Sequence, residues 1–118
     1  MVTKEQIAEI VRILAAECQP EKIILFGSYA NGTAGEDSDL DLAIVKETDL
    51  PKHKRSIGFR KALRAGGRRW LFPMDIVVFT PEEMEAWKNN PYSLVHEILL
   101  TGKTLYESSR SSSLVHQS

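Results

Sequence analysis

The sequence predicts an α+β domain. Short apolar runs of strand length, residues 22–26 and 74–79, lie among longer segments with helical spacing of apolar residues, and two of those segments begin at capping signals. The chain has 118 residues, 42% hydrophobic and 26% charged, which fits one folded domain. We expect that domain to span residues 1–107. The Ser-rich tail, residues 108–118, has no core pattern and is expected to be disordered.

Local signals define the elements of the first half. Thr3 and Gln6 form the capping box of the first helix, whose apolar face carries Ile7, Ile10, Val11, Leu14 and Cys18. Gly27 closes the first strand, and the Gly-, Ser-, Asn- and Asp-rich residues after it indicate a loop. The predicted elements are a helix over residues 4–17, a strand over 22–26, a loop over 27–38 and a strand over 39–45.

The second half has equally clear boundaries. Gly66 and Gly67 end a helix in which Gly58 costs roughly 1 kcal/mol relative to Ala. Thr80, followed by Pro and two Glu residues, is an N-cap. The predicted elements are a helix over residues 51–65, a strand over 74–79, a helix from 81 to about 89, a helix over 93–100 and a short edge strand over 103–107.

Charge is unevenly distributed. The net charge is −1, so bulk electrostatics predict neither a nucleic-acid binder nor a membrane binder. Residues 51–74, however, contain no Asp or Glu and eight of the fifteen Lys and Arg residues. A solvated helix face is the ordinary interpretation of such a stretch, and contact with a triphosphate, RNA or an acidic partner is the functional one.

The chain has the features of a cytoplasmic protein. Cys18 is the only cysteine, so no internal disulfide can form, and a lone thiol suits a reducing compartment. No apolar run approaches the roughly 18 residues that span a bilayer, and the N-terminus lacks a signal-peptide pattern. We therefore expect a cytoplasmic protein with no membrane association.

Two acidic residues stand out in the second predicted strand. Asp39 and Asp41 are two residues apart and should point to the same face, while Leu40 and Leu42 pack on the other. Two carboxylates on one face of an apolar strand repel each other and are costly to desolvate. A solvated acidic loop is the structural alternative. A bound divalent cation would explain the pair, because Mg²⁺ is coordinated by carboxylate oxygens together with substrate phosphates.

Asp75 and the Gly27-Ser28 pair extend this hypothesis. Asp75 opens the most β-branched strand and, if that strand lies beside the other two, completes a cluster of three carboxylates. Three carboxylates suit two metal ions that clamp an in-line displacement at phosphorus. Gly27 permits close backbone approach to a phosphate, and the Ser28 hydroxyl can bond a phosphate oxygen. A solvent-facing strand end for Asp75 and simple turn chemistry for Ser28 are the alternatives.

Two other motifs, a calcium-binding loop and a P-loop, do not match this sequence. A calcium loop starting at Asp37 requires Gly at its sixth position and Glu at its twelfth, where this chain has Leu42 and Thr48. A P-loop requires Gly-Lys-Ser/Thr after its glycines, and none follows here.

Residues 27–32 (Gly-Ser-Tyr-Ala-Asn-Gly), 37–42 (Asp-Ser-Asp-Leu-Asp-Leu) and the later Asp75 together resemble the signature of the DNA polymerase β-like nucleotidyltransferase superfamily. The chain is most similar to the minimal nucleotidyltransferases, small prokaryotic members often encoded beside a HEPN-domain (higher-eukaryote-and-prokaryote nucleotide-binding) protein. The resemblance covers roughly residues 4–107. It implies a small mixed sheet with helices packed on one side.

The resemblance also implies roles. Asp39 and Asp41 would ligate two Mg²⁺ ions, or Mn²⁺, and Asp75 would ligate the catalytic ion and help deprotonate the acceptor hydroxyl. Gly27 and Ser28 would hold the β- and γ-phosphates of a nucleoside triphosphate. Many small members carry Arg after Gly-Ser and again two residues later; the residues here are Tyr29 and Asn31.

Three functions follow from this resemblance. The first is transfer of a nucleoside monophosphate, AMP being the expected one, from a nucleoside triphosphate to a hydroxyl on a HEPN-type toxin, on RNA or on a second copy of the chain. The second is an antitoxin that neutralises its partner by binding alone, which the loss of both Arg residues favours. The third is an antibiotic-modifying nucleotidyltransferase, although those enzymes usually carry a further substrate-binding domain.

Overall fold

The computed structural model describes residues 1–109; the disorder expected for the tail concerns mainly residues 110–118, which lie outside the described part. The chain forms five helices and four strands within residues 1–109. In chain order they are α1 (Lys4–Cys18), β1 (Lys22–Phe26), α2 (Ser28–Asn31), β2 (Leu40–Val45), α3 (Ser56–Arg64), β3 (Met74–Phe79), α4 (Pro81–Trp87), α5 (Leu94–Thr101) and β4 (Lys103–Glu107). Short 3₁₀ turns, Lys52–Lys54 and Ala65–Gly67, flank α3.

Helix starts follow the capping residues in the sequence. The Thr3 hydroxyl accepts a hydrogen bond from the Gln6 N–H, and the Gln6 side chain accepts one from the Thr3 N–H. Thr80 and Glu83 repeat this reciprocal arrangement at α4. Each box satisfies two backbone donors that a helix N-terminus would otherwise leave unpaired. The predicted N-termini of α1 and α4 are therefore confirmed.

The four strands form one mixed sheet in the order β3-β2-β1-β4. β1 pairs antiparallel with both β2 and β4, whereas β2 and β3 are parallel. The predicted edge position of β4 is confirmed. Because β2 and β3 are parallel, both begin at the same end of the sheet, and the register places Leu40 beside Met74 there. We call this the acidic end, since Asp41 and Asp75 come next.

The sheet has a buried core on each face. The larger core joins α1 and α3 to one face through side chains such as Ile10, Leu42 and Phe59. On the opposite face, Val95 and Ile98 of α5 pack on side chains from β1, β2 and β3. The α+β class and the mixed sheet are confirmed. The packing is not confined to one side, however, because α5 is apolar enough along one face to cover part of the second.

Three predicted elements need correction. The predicted loop over residues 27–38 contains α2, because positive φ angles at Gly27 and Gly32 (+72° and +80°) let the chain enter and leave a single helical turn. The predicted helix over residues 51–65 is divided, and α3 proper is Ser56–Arg64. β2 starts at Leu40, so Asp39 precedes the strand.

None of the helices described for residues 1–109 combines the length and the apolar character that crossing a lipid bilayer demands.

Candidate active site

Asp41 and Asp75 lie side by side on neighbouring strands. They are partners in the parallel register of β2 and β3. Their sequence neighbours Leu42 and Ile76 point into the core beneath α1 and α3, so both carboxylates project from the opposite face. Asp41 is half-buried and Asp75 is exposed. The sheet therefore carries two carboxylates next to each other at its acidic end, on the face that α5 covers only in part.

Asp39 belongs to the same electrostatic cluster. It lies one residue before β2 and is exposed. The pKa of Asp41 is raised, first by burial of its carboxylate and then by the negative charges of Asp75 and Asp39. Within residues 1–109, no three acidic, His or Cys side chains are gathered tightly enough to hold a metal ion as they stand. The three carboxylates thus sense one another's charge without converging on one point.

Gly27 brings the Gly-Ser turn against the Asp41 carboxylate. Phe26, the last residue of β1, pairs with Asp41, and the chain then turns sharply at Gly27. A Cβ placed on Gly27 would lie 2.3 Å from Oδ2 of Asp41, far inside van der Waals contact. Ser28 begins α2 directly after this turn. Close approach of backbone to carboxylate therefore requires glycine here, and it places Ser28 next to the acidic cluster.

Two hydrogen bonds fix the start of β3 at the acidic end. The Leu40 N–H donates to the Pro73 carbonyl at 3.0 Å, joining the residue between Asp39 and Asp41 to the chain that leads into β3. From α3, Nη1 of Arg60 donates to the Met74 carbonyl at 3.3 Å. Sequence reasoning missed Arg60, because nothing local shows that a cation on α3 reaches a carbonyl on β3.

The side chains of Tyr29 and Asn31 form hydrogen bonds within the domain. The Tyr29 hydroxyl accepts a hydrogen bond from the Val2 N–H at 3.0 Å, and its ring packs against the core beneath α1. Oδ1 of Asn31 accepts from the Thr33 hydroxyl at 2.6 Å and from the Thr33 N–H at 3.3 Å. The two positions where many small relatives carry Arg therefore stabilise α2 and its connections in this chain.

The basic stretch over residues 51–74 is more than a solvated face. Arg55, with a side chain only 10% exposed, is 2.6 Å from a carboxylate oxygen of Glu83, and the hydrogen bond lowers the pKa of Glu83. Arg68 donates to the carbonyls of Ala62 and Leu63 at the end of α3. Other cations, such as Arg64, are exposed. The solvated-face interpretation therefore holds for part of the stretch only.

Comparisons with known proteins identify a matching family and two related sequences. Residues 8–111 match the family Polbeta (Polymerase beta, Nucleotidyltransferase). The chain is 37% identical over 89 residues to "Putative protein adenylyltransferase MJ1305" of Methanocaldococcus jannaschii, covering 72% of this chain and 57% of that protein. It is 42% identical over 52 residues to "Putative protein adenylyltransferase MJ0604" of the same organism, covering 42% of this chain and 52% of that protein. The chain spans slightly more than half the length of these two relatives.

Solved structures share the fold at lower identity. A "putative nucleotidyltransferase" from Sulfolobus solfataricus superposes with a TM-score of 0.58 at 19% identity, over 86% of this chain and 77% of that one. A structure named "the toxin-antitoxin with AMP-PNP" gives a TM-score of 0.56 at 24% identity, over 90% and 77% of the two chains. The family match covers most of the chain and includes the Gly-Ser turn and all three aspartates. This chain is therefore a member of the polymerase beta nucleotidyltransferase family.

Proposed function

We propose that this chain transfers AMP from ATP to a hydroxyl group on a partner protein, and that Asp39, Asp41 and Asp75 hold two Mg²⁺ ions for the reaction. The observation that carries the proposal is the in-register pair of Asp41 and Asp75 on an open sheet face, with the glycine turn pressed against Asp41. Such an arrangement offers carboxylates for cations and a backbone turn for phosphates at one place.

The chemistry of the three donor side chains suits a divalent cation. The donors are all carboxylate oxygens, which Mg²⁺ and Mn²⁺ prefer. Burial, and then repulsion from Asp75 and Asp39, raise the pKa of Asp41, and positive charge would relieve that repulsion. When bound, the two ions would neutralise the phosphate oxygens and stabilise the attacking and leaving oxygens. Asp39 and Asp41 would contact both ions, and Asp75 one of them.

The chain's own groups would position the reactants. Gly27 and Ser28 would bind the β- and γ-phosphates through the backbone and the hydroxyl. Asp75, the more exposed member of the strand pair, would accept the proton of the acceptor hydroxyl. The hydroxyl oxygen then bonds to the α-phosphorus, the bond from that phosphorus to the bridging oxygen breaks, and pyrophosphate leaves. Correct positioning of the two reactants would contribute much of the rate acceleration.

A partner is expected to supply the acceptor. The carboxylates lie on an exposed part of the sheet, and Asp39 and Asp75 are open to solvent. The two curated relatives carry the name protein adenylyltransferase, and a solved relative is named as a toxin-antitoxin with AMP-PNP. These names support ATP as the nucleotide and a protein as the acceptor. We propose a HEPN-type toxin encoded beside this chain as that protein.

Radiolabel transfer tests the proposal. The chain, [α-³²P]ATP, Mg²⁺ and the neighbouring HEPN-domain protein are incubated, and label on the partner is measured. Asp41→Asn should abolish labelling, and Asp75→Asn should reduce it by two or more orders of magnitude. Asp37→Asn is the control: Asp37 is an exposed acid in the loop before β2, outside the register pair, and this variant should retain full activity. Equal labelling by Asp41→Asn and wild type would refute the proposal.

One observation favours an antitoxin that acts by binding alone. Tyr29 and Asn31 occupy the two Arg positions of many small members and are engaged in hydrogen bonds, so neither brings a cation to a triphosphate. For this alternative, neutralisation of the toxin would survive Asp41→Asn, and no label would be transferred by wild type. RNA labelled in place of protein would identify an RNA acceptor.

A further inference from the structure

The segment between α3 and β3 is tied to the domain through alternate residues. Arg68, Trp70 and Phe72 point inward. Arg68 donates to two carbonyls at the end of α3, and Nε1 of Trp70 donates to the Leu63 carbonyl at 3.0 Å. The rings of Trp70 and Phe72 meet edge to face at 6.1 Å and pack against the core beneath α1 and α3. The segment is therefore held in place through its inward side chains.

The intervening residues point outward. Arg69 is exposed, and Leu71 is 89% exposed. A leucine costs roughly 1.5–3 kcal/mol when its side chain is left in water instead of buried. In a mobile loop, an exposed leucine can move and find partial cover against the domain. This segment is instead anchored on both sides of Leu71, so its side chain stays in water. The fold thus presents an apolar side chain and a cation together; we call Arg69 and Leu71 the outward ridge.

The outward ridge lies at the acidic end of the sheet. Arg55, just before α3, donates to the Val78 carbonyl near the end of β3, and Arg60 donates to the Met74 carbonyl at its start. α3 therefore runs opposite to β3 and ends at the acidic end. Leu71, the second residue of the ridge, precedes Asp75 by four residues. Arg64, in the last turn of α3, adds a second exposed cation, and within residues 1–109 neither it nor Arg69 forms an ion pair.

We propose that the outward ridge is the docking surface for the protein that carries the acceptor hydroxyl, and that this protein offers an apolar pocket to Leu71 and carboxylates to Arg69 and Arg64. The proposal rests on the function proposed above. The cations favour an acidic surface, because neither Arg64 nor Arg69 has an ion-pair partner within residues 1–109. Docking here would hold the partner at the acidic end of the sheet, where β3 and Asp75 begin.

The structure favours protein over RNA at this surface. RNA-binding surfaces stack bases on free aromatic faces, or present many cations to the backbone. Trp70 and Phe72 are engaged with the core and with each other. The outward side chain between them is the aliphatic Leu71, which suits a protein pocket.

Photo-crosslinking and affinity measurements test the proposal. The full chain, with Leu71 replaced by p-benzoylphenylalanine, is irradiated with the neighbouring HEPN-domain protein, and the crosslinked peptide is sequenced. The same replacement at Tyr92, which is 97% exposed in the connection between α4 and α5, is the control. Crosslinking from position 71 but not from position 92, to a peptide rich in Asp and Glu, supports the proposal.

Affinity for the partner is measured in parallel. Leu71→Ser and Arg69→Glu should each weaken partner binding roughly tenfold or more, whereas Tyr92→Ser should not. Mn²⁺ and AMP-PNP binding should be unchanged in all three variants. The Asp41→Asn variant should still crosslink at position 71, so a failure of the proposed catalysis is separable from a failure of docking. Undiminished affinity in both ridge variants, no crosslink from position 71, or an RNase-sensitive crosslink would overturn the proposal.

Discussion

Gly27→Ala is the sharpest perturbation of the candidate site. The backbone of Gly27 has φ +72° and ψ −153°, a region almost closed to residues with a side chain, so an alanine there costs about 1–3 kcal/mol in strain. Its Cβ would also lie 2.3 Å from Oδ2 of Asp41. A carbon and an oxygen normally approach to about 3.3 Å, so the carboxylate must retreat by roughly 1 Å. We expect a total loss of roughly 2–4 kcal/mol in unfolding free energy.

The displacement should also reduce metal binding and transfer. A shift of about 1 Å at a catalytic group can cost on the order of 100-fold in rate. Urea unfolding gives the stability loss, and calorimetric titration of Mn²⁺ with AMP-PNP gives the binding loss.

Gly32→Ala is the matched control for this prediction. Gly32 also has a positive φ, +80°, but a Cβ there would meet nothing within 4 Å. It should therefore lose about 1 kcal/mol of stability from strain and keep wild-type Mn²⁺ affinity. If Gly27→Ala and Gly32→Ala lose the same stability and both bind Mn²⁺ as wild type does, the contact between Gly27 and Asp41 does not shape the site.

The remaining predictions concern charge and helix propensity. Asp41→Asn should stabilise the metal-free chain by about 0.2–1 kcal/mol in urea unfolding, because like charges on adjacent strands repel; no gain would argue against that repulsion. Because the pKa of Asp41 is raised, Mn²⁺ affinity followed by calorimetry should fall on acidification at a higher pH than for an ordinary Asp, since protons compete with the cation. The Arg55–Glu83 pair should contribute roughly 1–2 kcal/mol at pH 7. Since the pKa of Glu83 is lowered, that contribution is present above the ordinary Glu pKa and lost as pH falls through the folded-state value, so Glu83→Gln should show less acid destabilisation than wild type. Gly58→Ala, on an exposed helical position with open space around its Cβ, should raise stability by up to about 1 kcal/mol, and a decrease would indicate an unrecognised contact.

Features with a local cause were predictable from the sequence. β1 and β3 were predicted at their observed bounds, because each is a short apolar run that ends at a Gly or at a capping Thr. The capping boxes at Thr3 and Thr80 fixed two helix starts for the same reason. The DNA polymerase β-like resemblance, on the Gly-Ser pair and three aspartates, was confirmed by the family match over residues 8–111.

Features that depend on tertiary contacts were not predictable. α2 escaped notice because its single turn depends on two positive φ angles, which Gly permits but does not require. The position of α5 on the second face depends on which side of the sheet the chain crosses after β3, and periodicity does not encode this. Arg55 and Arg60 looked like surface charges, because their acceptors on α4 and β3 are 14 or more residues away along the chain.

One face of the sheet packs the main hydrophobic core, and the other face carries the carboxylates of the candidate site. One face is closed by α1 and α3 over a core that includes Leu40, Leu42 and Ile76. These residues alternate along β2 and β3 with the aspartates, so the same strands that anchor the core must project Asp41 and Asp75 from the other face. On that face α5 packs with residues such as Ala43 and Phe79, and Phe26, the partner of Asp41, belongs to the same buried cluster, whereas Asp75 stays exposed. Burial on one side therefore fixes the strands that carry the carboxylates, while Asp75 on the other side stays accessible to cations and to a partner. The proposed nucleotide, metal ions and acceptor would meet at the acidic end of the sheet, where Asp39 and Asp75 are exposed.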